Sequence, residues 1–292
     1  NSIFLLLYGL IQSFYHLMIM RPSHCISFGS YASFMPLIVA SVLRTLRITE
    51  IHLHEQNSTI GKVNSFFLPF SKNFFANFDS IKNLQSNYKK KIKHVGLPTD
   101  NQKINEKRSI KIYKEKKIKI FVYGGSQGSV NVNDGFLNII KKLPNNYYDK
   151  ITIRVQSSYK QIPKIKAELK DLKIDFEIKN FFDDIHKILT SSDILIARSG
   201  AGTINDIIES QIPAILVPLP HSINNHQYLN AKYLVDRQAA ILIEEKNLNL
   251  DIAYFEFKEL FDNVSQRIAM IENLQKMKIL DASELMLKKI FE

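Results

Sequence analysis

At 292 residues, with 45% hydrophobic side chains and a net charge of +11, the chain is long enough for about two domains and too apolar for disorder. A single cysteine, Cys25, excludes an intramolecular disulfide framework and any multi-cysteine zinc or iron–sulfur site, and fits a reducing compartment. Residues 1–150 hold 21 basic and 8 acidic side chains, so the whole positive excess lies in the first half. Such polarity suits a surface facing phosphates, of nucleic acid or of anionic lipid, or else a Lys-rich solvated face.

The chain opens with Asn1 rather than Met, as a piece with an upstream start would. Residues 1–20 carry no Asp, Glu, Lys or Arg, and Phe4, Leu7, Ile11, Phe14 and Met18 recur at helical spacing. Three readings stay open for this apolar helix: a bilayer-surface helix, a buried domain helix, and a membrane span. Strands are expected at 24–28 and 49–54, with a helix at 35–46 between them. Residues 81–117 are Lys-rich and poor in pattern, which suits a surface excursion and an interdomain linker. A second alternation follows, with strands at 118–123, 151–156, 174–178, 193–197, 214–217 and 240–243. Helices are expected at 128–142, 160–171, 203–210 and 225–236, and two or three more over 251–292. Strands separated by helices predict parallel sheets covered on both faces.

Four segments carry chemistry. At 124–128 the sequence G-G-S-Q-G links a strand to a helix, where a close backbone and a helix N-terminus suit phosphate, and Ser126 adds a hydroxyl. The same residues also suit simple tight packing. At 197–206 a second strand ends in a glycine turn, with Thr203 a candidate cap and Asp206 three residues on, as in a capping box. Carboxyl ends of parallel strands share one edge, so both turns point into one crevice, and a diphosphate suits it. At 218–231 amides and imidazoles cluster where a loop enters a helix; Gln227 and Asn230 share a face and suit sugar hydroxyls. At 52–57, His52 and His54 lie on one strand face, a conceivable but incomplete zinc pair, and the His54–Glu55 pair could instead do acid–base work.

In this order the segments resemble the MurG family, the UDP-N-acetylglucosamine transferases that convert lipid I to lipid II. F-G-S-Y at 28–31 looks like that family's F-G-G-Y. H-E-Q-N at 54–57 and G-G-S-Q-G at 124–128 match unchanged, R-S-G-A-G-T at 198–203 matches R-S-G-A-x-T, and His226-Gln227 with Asn230-Ala231 matches H-Q…N-A. The resemblance implies an α/β protein of GT-B architecture, two Rossmann-like parallel-sheet domains facing a cleft, the first incomplete. Residues 1–100 would form a partial acceptor- and membrane-facing domain, 101–117 a linker, and 118–292 the UDP-sugar domain, with the last helix packing back on the first domain. Ser126, Ala201, Gly202 and Thr203 would contact the diphosphate, Asp206 the ribose, and Phe182 the uracil through its backbone. Gln227, His226 and Asn230 would address the N-acetylglucosamine, and Asn57 would line the cleft.

The same resemblance implies an inverting transfer of N-acetylglucosamine from UDP-N-acetylglucosamine to the muramyl C4 hydroxyl of lipid I, undecaprenyl-pyrophosphoryl-MurNAc-pentapeptide. His54 and Glu55 stand as substitutes for the base of a family Gly-rich loop that residues 1–20 do not resemble. Asp100 sits where the family has a donor-site Arg. No cofactor, metal or nucleic acid is called for, and the implied location is the cytoplasmic face of the bacterial inner membrane, held peripherally to an anionic surface. Alternatives are a UDP-sugar 2-epimerase on the same fold and a nucleotide-sugar or membrane-binding remnant without turnover.

Overall fold

The computed structural model describes residues 2–99, 117–124, 129–277 and 281–292; of Ser2 and Ile3 only the backbone is described. Two compact units emerge, one from residues 1–100 with 279–292, the other from residues 101–278.

The first unit begins with α1 (Ser2–Met20), then β1 (His24–Ser27), α2 (Phe34–Thr45), β2 (Glu50–Glu55), α3 (Lys62–Phe67), β3 (Asn73–Ala76) and β4 (Ile92–His94). Its four strands are parallel, in the order β1-β2-β3-β4. Leu53, Phe74 and Phe75 are fully buried, as strands covered on both faces require. Two strands and α3 escape sequence reading: β3 is four residues long, β4 three, and β4 lies inside the stretch expected to be a pattern-poor excursion. Parallel pairing to Ala76 and Phe74, not local sequence, makes it a strand.

Helix α1 packs on α2 through its small-residue side, with Gly9 facing Met35 and the Ser13 hydroxyl folded onto the Gly9 carbonyl at 2.6 Å. The opposite side, Phe4, Leu7, Ile11 and Phe14, is exposed. No helix among the described residues is long and apolar enough to cross a membrane.

The second unit holds β5 (Ile118–Tyr123), α4 (Val130–Lys141), β6 (Ile151–Gln156), α5 (Ile162–Asp171), β7 (Asp175–Lys179), α6 (Ile185–Ser191), β8 (Ile194–Ala197), α7 (Ala201–Ser210), β9 (Ala214–Leu216), α8 (His226–Val235), β10 (Ile241–Leu242), α9 (Asp251–Asp262) and α10 (Val264–Met277). Its six parallel strands run in the order β10-β9-β8-β5-β6-β7. Ile120, Val122, Ile151, Ile153 and Val155 face one way into a core shared with Val132, Phe136 and Ile140 of α4. Here the expected alternation is closely followed, because each strand is built on Ile, Val, Leu or Phe and set off by the helical segments between. The short α6 was not expected; Asp184 caps it by accepting from the Lys187 N–H at 2.8 Å.

The last helix, α11 (Ala282–Phe291), belongs to the first unit. Met286 and Ile290 pack there on Phe75 and Val95, so the unit that follows residue 118 ends before 279.

Candidate functional site

Strand order in the second unit reverses between β5 and β8, which are adjacent although α4, β6, α5, β7 and α6 separate them in the chain. In open parallel sheets the carboxyl edge at such a reversal is where ligands bind, because the connections on either side leave in opposite directions and open a crevice. Tyr123, the last residue of β5, pairs with Ala197, the last of β8. Both glycine turns therefore leave from the same point.

Beyond β8 the chain enters α7 through Arg198, Ser199 and Gly200. Gly200 is the N-cap, with φ −63° and ψ 156° and no side-chain cap. This corrects the expected capping box: the helix starts two residues earlier, so Thr203 is its third residue rather than its cap and Asp206 lies one turn in. The first N–H groups are thus left for a ligand. Among the described residues, a methyl group added at Gly200 or Gly202 would meet nothing within 4 Å.

Asp206 sits below that helix end. Burial, and then the neighbouring Glu209, push its carboxyl up to about 6, and no hydrogen bond offsets the desolvation. Its charge in turn raises the Tyr123 phenol, after burial.

Across the crevice, Ser129 caps α4 by accepting from the Val132 N–H. Ser126 and the rest of 125–128 lie outside the described residues, as does Asp100. Arg198, which sequence reading left without a role, joins the parts. Its guanidinium donates to the Val217 carbonyl at 3.2 Å, the Pro218 carbonyl at 3.1 Å and the Ser129 hydroxyl at 2.8 Å, and pairs with Glu245. A charged side chain just after an apolar strand was the available signal.

The amide-rich segment divides into structural and available groups. Asn230 is fully buried, and its amide donates to the Ser199 carbonyl at 3.2 Å, tying α8 to the turn before α7. The Gln227 side-chain oxygen accepts from the Leu219 N–H at 2.9 Å, which orients the amide and leaves its NH2 group to donate. His226 donates from Nδ1 to the Ile223 carbonyl at 2.7 Å, so Nε2 is the acceptor. The Phe182 ring is buried edge-on against Phe121, 5.7 Å between centroids, so only its backbone could serve a base.

The motif at 54–57 is also structural in large part. Both Glu55 oxygens are engaged, one by the Asn57 N–H at 3.1 Å, the other by the Gly61 N–H at 2.8 Å and the Asn64 amide at 2.9 Å. This carboxylate clasps the loop that carries Asn57 and starts α3. His54 donates from Nε2 to the Gly96 carbonyl at 2.8 Å, and burial pushes its imidazole down to about 4. Geometry of this kind suits a scaffold better than a proton acceptor. His52 and His54, the conceivable zinc pair, meet different partners: His52 faces His24 and Asn73 instead.

Gly29 begins the turn of the F-G-S-Y segment at φ +76°, where an added Cβ would fall 2.6 Å from the Asn64 amide nitrogen.

Residues 119–286 match the glycosyltransferase family 28 C-terminal domain. The UDP-N-acetylglucosamine–N-acetylmuramyl-(pentapeptide) pyrophosphoryl-undecaprenol N-acetylglucosamine transferase of Wolbachia pipientis subsp. Culex pipiens (strain wPip) is 33% identical over 245 residues, covering 84% of this chain and 68% of the relative. The chain belongs to the MurG family of glycosyltransferases. A second MurG relative, from Rickettsia akari (strain Hartford), is 32% identical over 256 residues, 78% of this chain and 65% of its own length. The crystal structure of Acinetobacter baumannii MurG shares the fold, with a TM-score of 0.82 at 21% identity over 100% of this chain and 79% of that one. The S. aureus MnaA–UDP structure also shares it, at a TM-score of 0.68 and 15% identity over 99% of this chain and 81% of that one. The two parallel sheets are those of a GT-B glycosyltransferase.

Proposed function

We propose that this chain transfers N-acetylglucosamine from UDP-N-acetylglucosamine to the muramyl C4 hydroxyl of lipid I, giving lipid II. The observation that carries this reading is the N-terminus of α7, which among the described residues has no side-chain cap, nothing within 4 Å of a Cβ at Gly200 or Gly202, and the buried Asp206 carboxylate one turn below. The N–H groups from Ala201 to Thr203 hold the diphosphate, and Asp206 accepts from the ribose hydroxyls. As the acceptor oxygen attacks the anomeric carbon, the C1–O bond breaks and charge gathers on the departing UDP. Fixed N–H dipoles at the helix end stabilise that charge without reorganising. Gln227 donates to the sugar through the NH2 group that its contact with Leu219 aims, and His226 accepts beside it. Asn57, carried by the Glu55 clasp, serves the acceptor.

Calorimetric titration of the full chain with UDP and with UDP-N-acetylglucosamine tests the donor assignment. Gln227→Ala should weaken the sugar nucleotide more than UDP; equal weakening removes Gln227 from the sugar. Incubation of UDP-N-acetylglucosamine without acceptor separates a transferase from a 2-epimerase, since only the latter yields a new sugar nucleotide.

The acceptor is a membrane lipid, and we place the enzyme peripherally on an anionic, cytoplasmic bilayer face. Support comes from the exposed Phe4, Leu7, Ile11 and Phe14 of α1 and the nearby exposed Leu46, Arg44 and Arg47. Each basic residue near an anionic surface contributes about 1 kcal/mol, and inserted apolar side chains add to that. Co-sedimentation with phosphatidylglycerol vesicles that weakens with salt is the expected result. Sedimentation without vesicles marks an aggregating patch instead.

A further inference from the structure

The expected zinc pair fails because His54 turns to Gly96, yet His52 finds two other ligands outside the donor site. Parallel register sets His24 of β1 opposite Glu50 of β2, and the two-residue period puts His52 on the same face as Glu50. His24 Nδ1 lies 3.1 Å from His52 Nε2 and 3.5 Å from Glu50 Oε2, and all three donor atoms lie within 4.8 Å of one another.

We propose that His24, Glu50 and His52 form a divalent transition-metal site, of the zinc or cobalt(II) class, on the edge of the first unit's sheet. Bonds of about 2.0–2.2 Å in four-coordinate geometry set neighbouring ligand atoms roughly 3.3–3.5 Å apart. The His24–His52 and His24–Glu50 separations fall close to that edge length, and the third pair lies within 4.8 Å, so a small side-chain adjustment brings the three ligand atoms onto one face of a tetrahedron. The fourth position belongs to water, which the partial exposure of the His24 and Glu50 side chains admits.

The surrounding hydrogen bonds say what binding must rearrange. Lys93 donates to the Asn73 oxygen at 2.7 Å, and the Asn73 amide donates to the Lys289 carbonyl at 3.0 Å, which fixes the amide's orientation. Its nitrogen lies 3.1 Å from His52 Nδ1, so that ring nitrogen is the acceptor and Nε2 carries the proton shared with His24. A metal ion takes the place of this shared proton. The His52 proton moves to Nδ1, which costs that ring nitrogen its contact with the Asn73 amide nitrogen, with no net proton gained or lost. Lys72, bonded to Glu50 Oε2 at 2.7 Å, competes with the ion and is displaced. An occupied site fastens the edge strand β1 to β2 beneath α11, whose Phe291 ring lies edge-on to His24 at 5.2 Å.

Titration of the chelator-stripped full chain with cobalt(II) alone tests this. The expected result is one ion per chain, with the strong visible bands of four-coordinate cobalt, bleached by zinc. His24→Gln, a partly exposed position, should weaken binding by at least about tenfold and abolish the bands while circular dichroism stays unchanged. Lys72→Gln should tighten binding several-fold, since it removes the competing cation; a surface histidine binding cobalt elsewhere would not respond. Absence of the bands at millimolar cobalt, or their survival in His24→Gln, overturns the proposal.

Discussion

Arg198 donates to the Ser129 hydroxyl at 2.8 Å, so the residue that leaves β8 holds the cap of the helix that follows β5. The end of β8 and the start of α4 are thereby tied together. Glu245, with its side chain largely buried, is held in the same knot.

Replacing Arg198 by Ala strands the Glu245 carboxylate and frees two carbonyls, and breaking a buried pair by removing one partner costs about 3–5 kcal/mol. Urea denaturation should register that loss. Arg198→Lys keeps the charge but cannot fork to four acceptors. We expect it to fold and to bind UDP about tenfold more weakly, by titration calorimetry, corresponding to about 1.4 kcal/mol.

Asp206 sets a pH dependence with a definite sign. Its carboxyl is raised from 3.8 to about 6 in the fold, so the native state holds the proton more tightly than the unfolded chain. The stability this gives is full below about pH 4 and is lost as pH rises through 6, by an amount on the order of 2–3 kcal/mol at most. Asp206→Asn should therefore raise the denaturation midpoint at pH 7 and not at pH 4. Because a ribose-binding carboxylate must be ionised to accept two hydroxyls, UDP affinity should climb through pH 6 and become flat in the Asn variant.

Glu55→Gln puts an NH2 group among N–H donors from Asn57, Gly61 and Asn64. Loss of one charged acceptor in a buried setting costs about 2–3 kcal/mol. A drop of that size in chemical denaturation is expected. Unchanged stability with abolished turnover would instead make Glu55 a chemical participant.

Gly29→Ala should be costly for two separate reasons. The φ of +76° disfavours any side chain, and the new methyl group would push Asn64 off the His54 carbonyl and Glu55. We expect about 2–4 kcal/mol of destabilisation by thermal or urea unfolding.

Legibility in the sequence followed local self-sufficiency. Strands β5 and β6 have their bounds where the sequence shows Ile and Val at strand spacing, I-K-I-F-V-Y and I-T-I-R-V-Q, between helical segments. Strand β4, I-K-H, has no such run and exists through its partners. The strand-to-helix turn before α7 was readable from its glycines, but roles within a motif were not. Asn230, His54 and Glu55 stand beside ligand-facing residues in one-letter code, and only hydrogen-bond partners distinguish a tether from a contact. His24 and His52, 28 residues apart, are joined by strand register alone.

The uncapped start of α7 has an implication for how the protein could evolve. A helix beginning at Gly200 without a side-chain cap forgoes roughly a few tenths of a kcal/mol that Ser or Asp would contribute there. Ser or Asp at Gly200 should therefore stabilise the helix slightly, and on the proposed function each would place an oxygen where a phosphate oxygen is bound. On that reading thermal robustness and substrate binding pull this position in opposite directions.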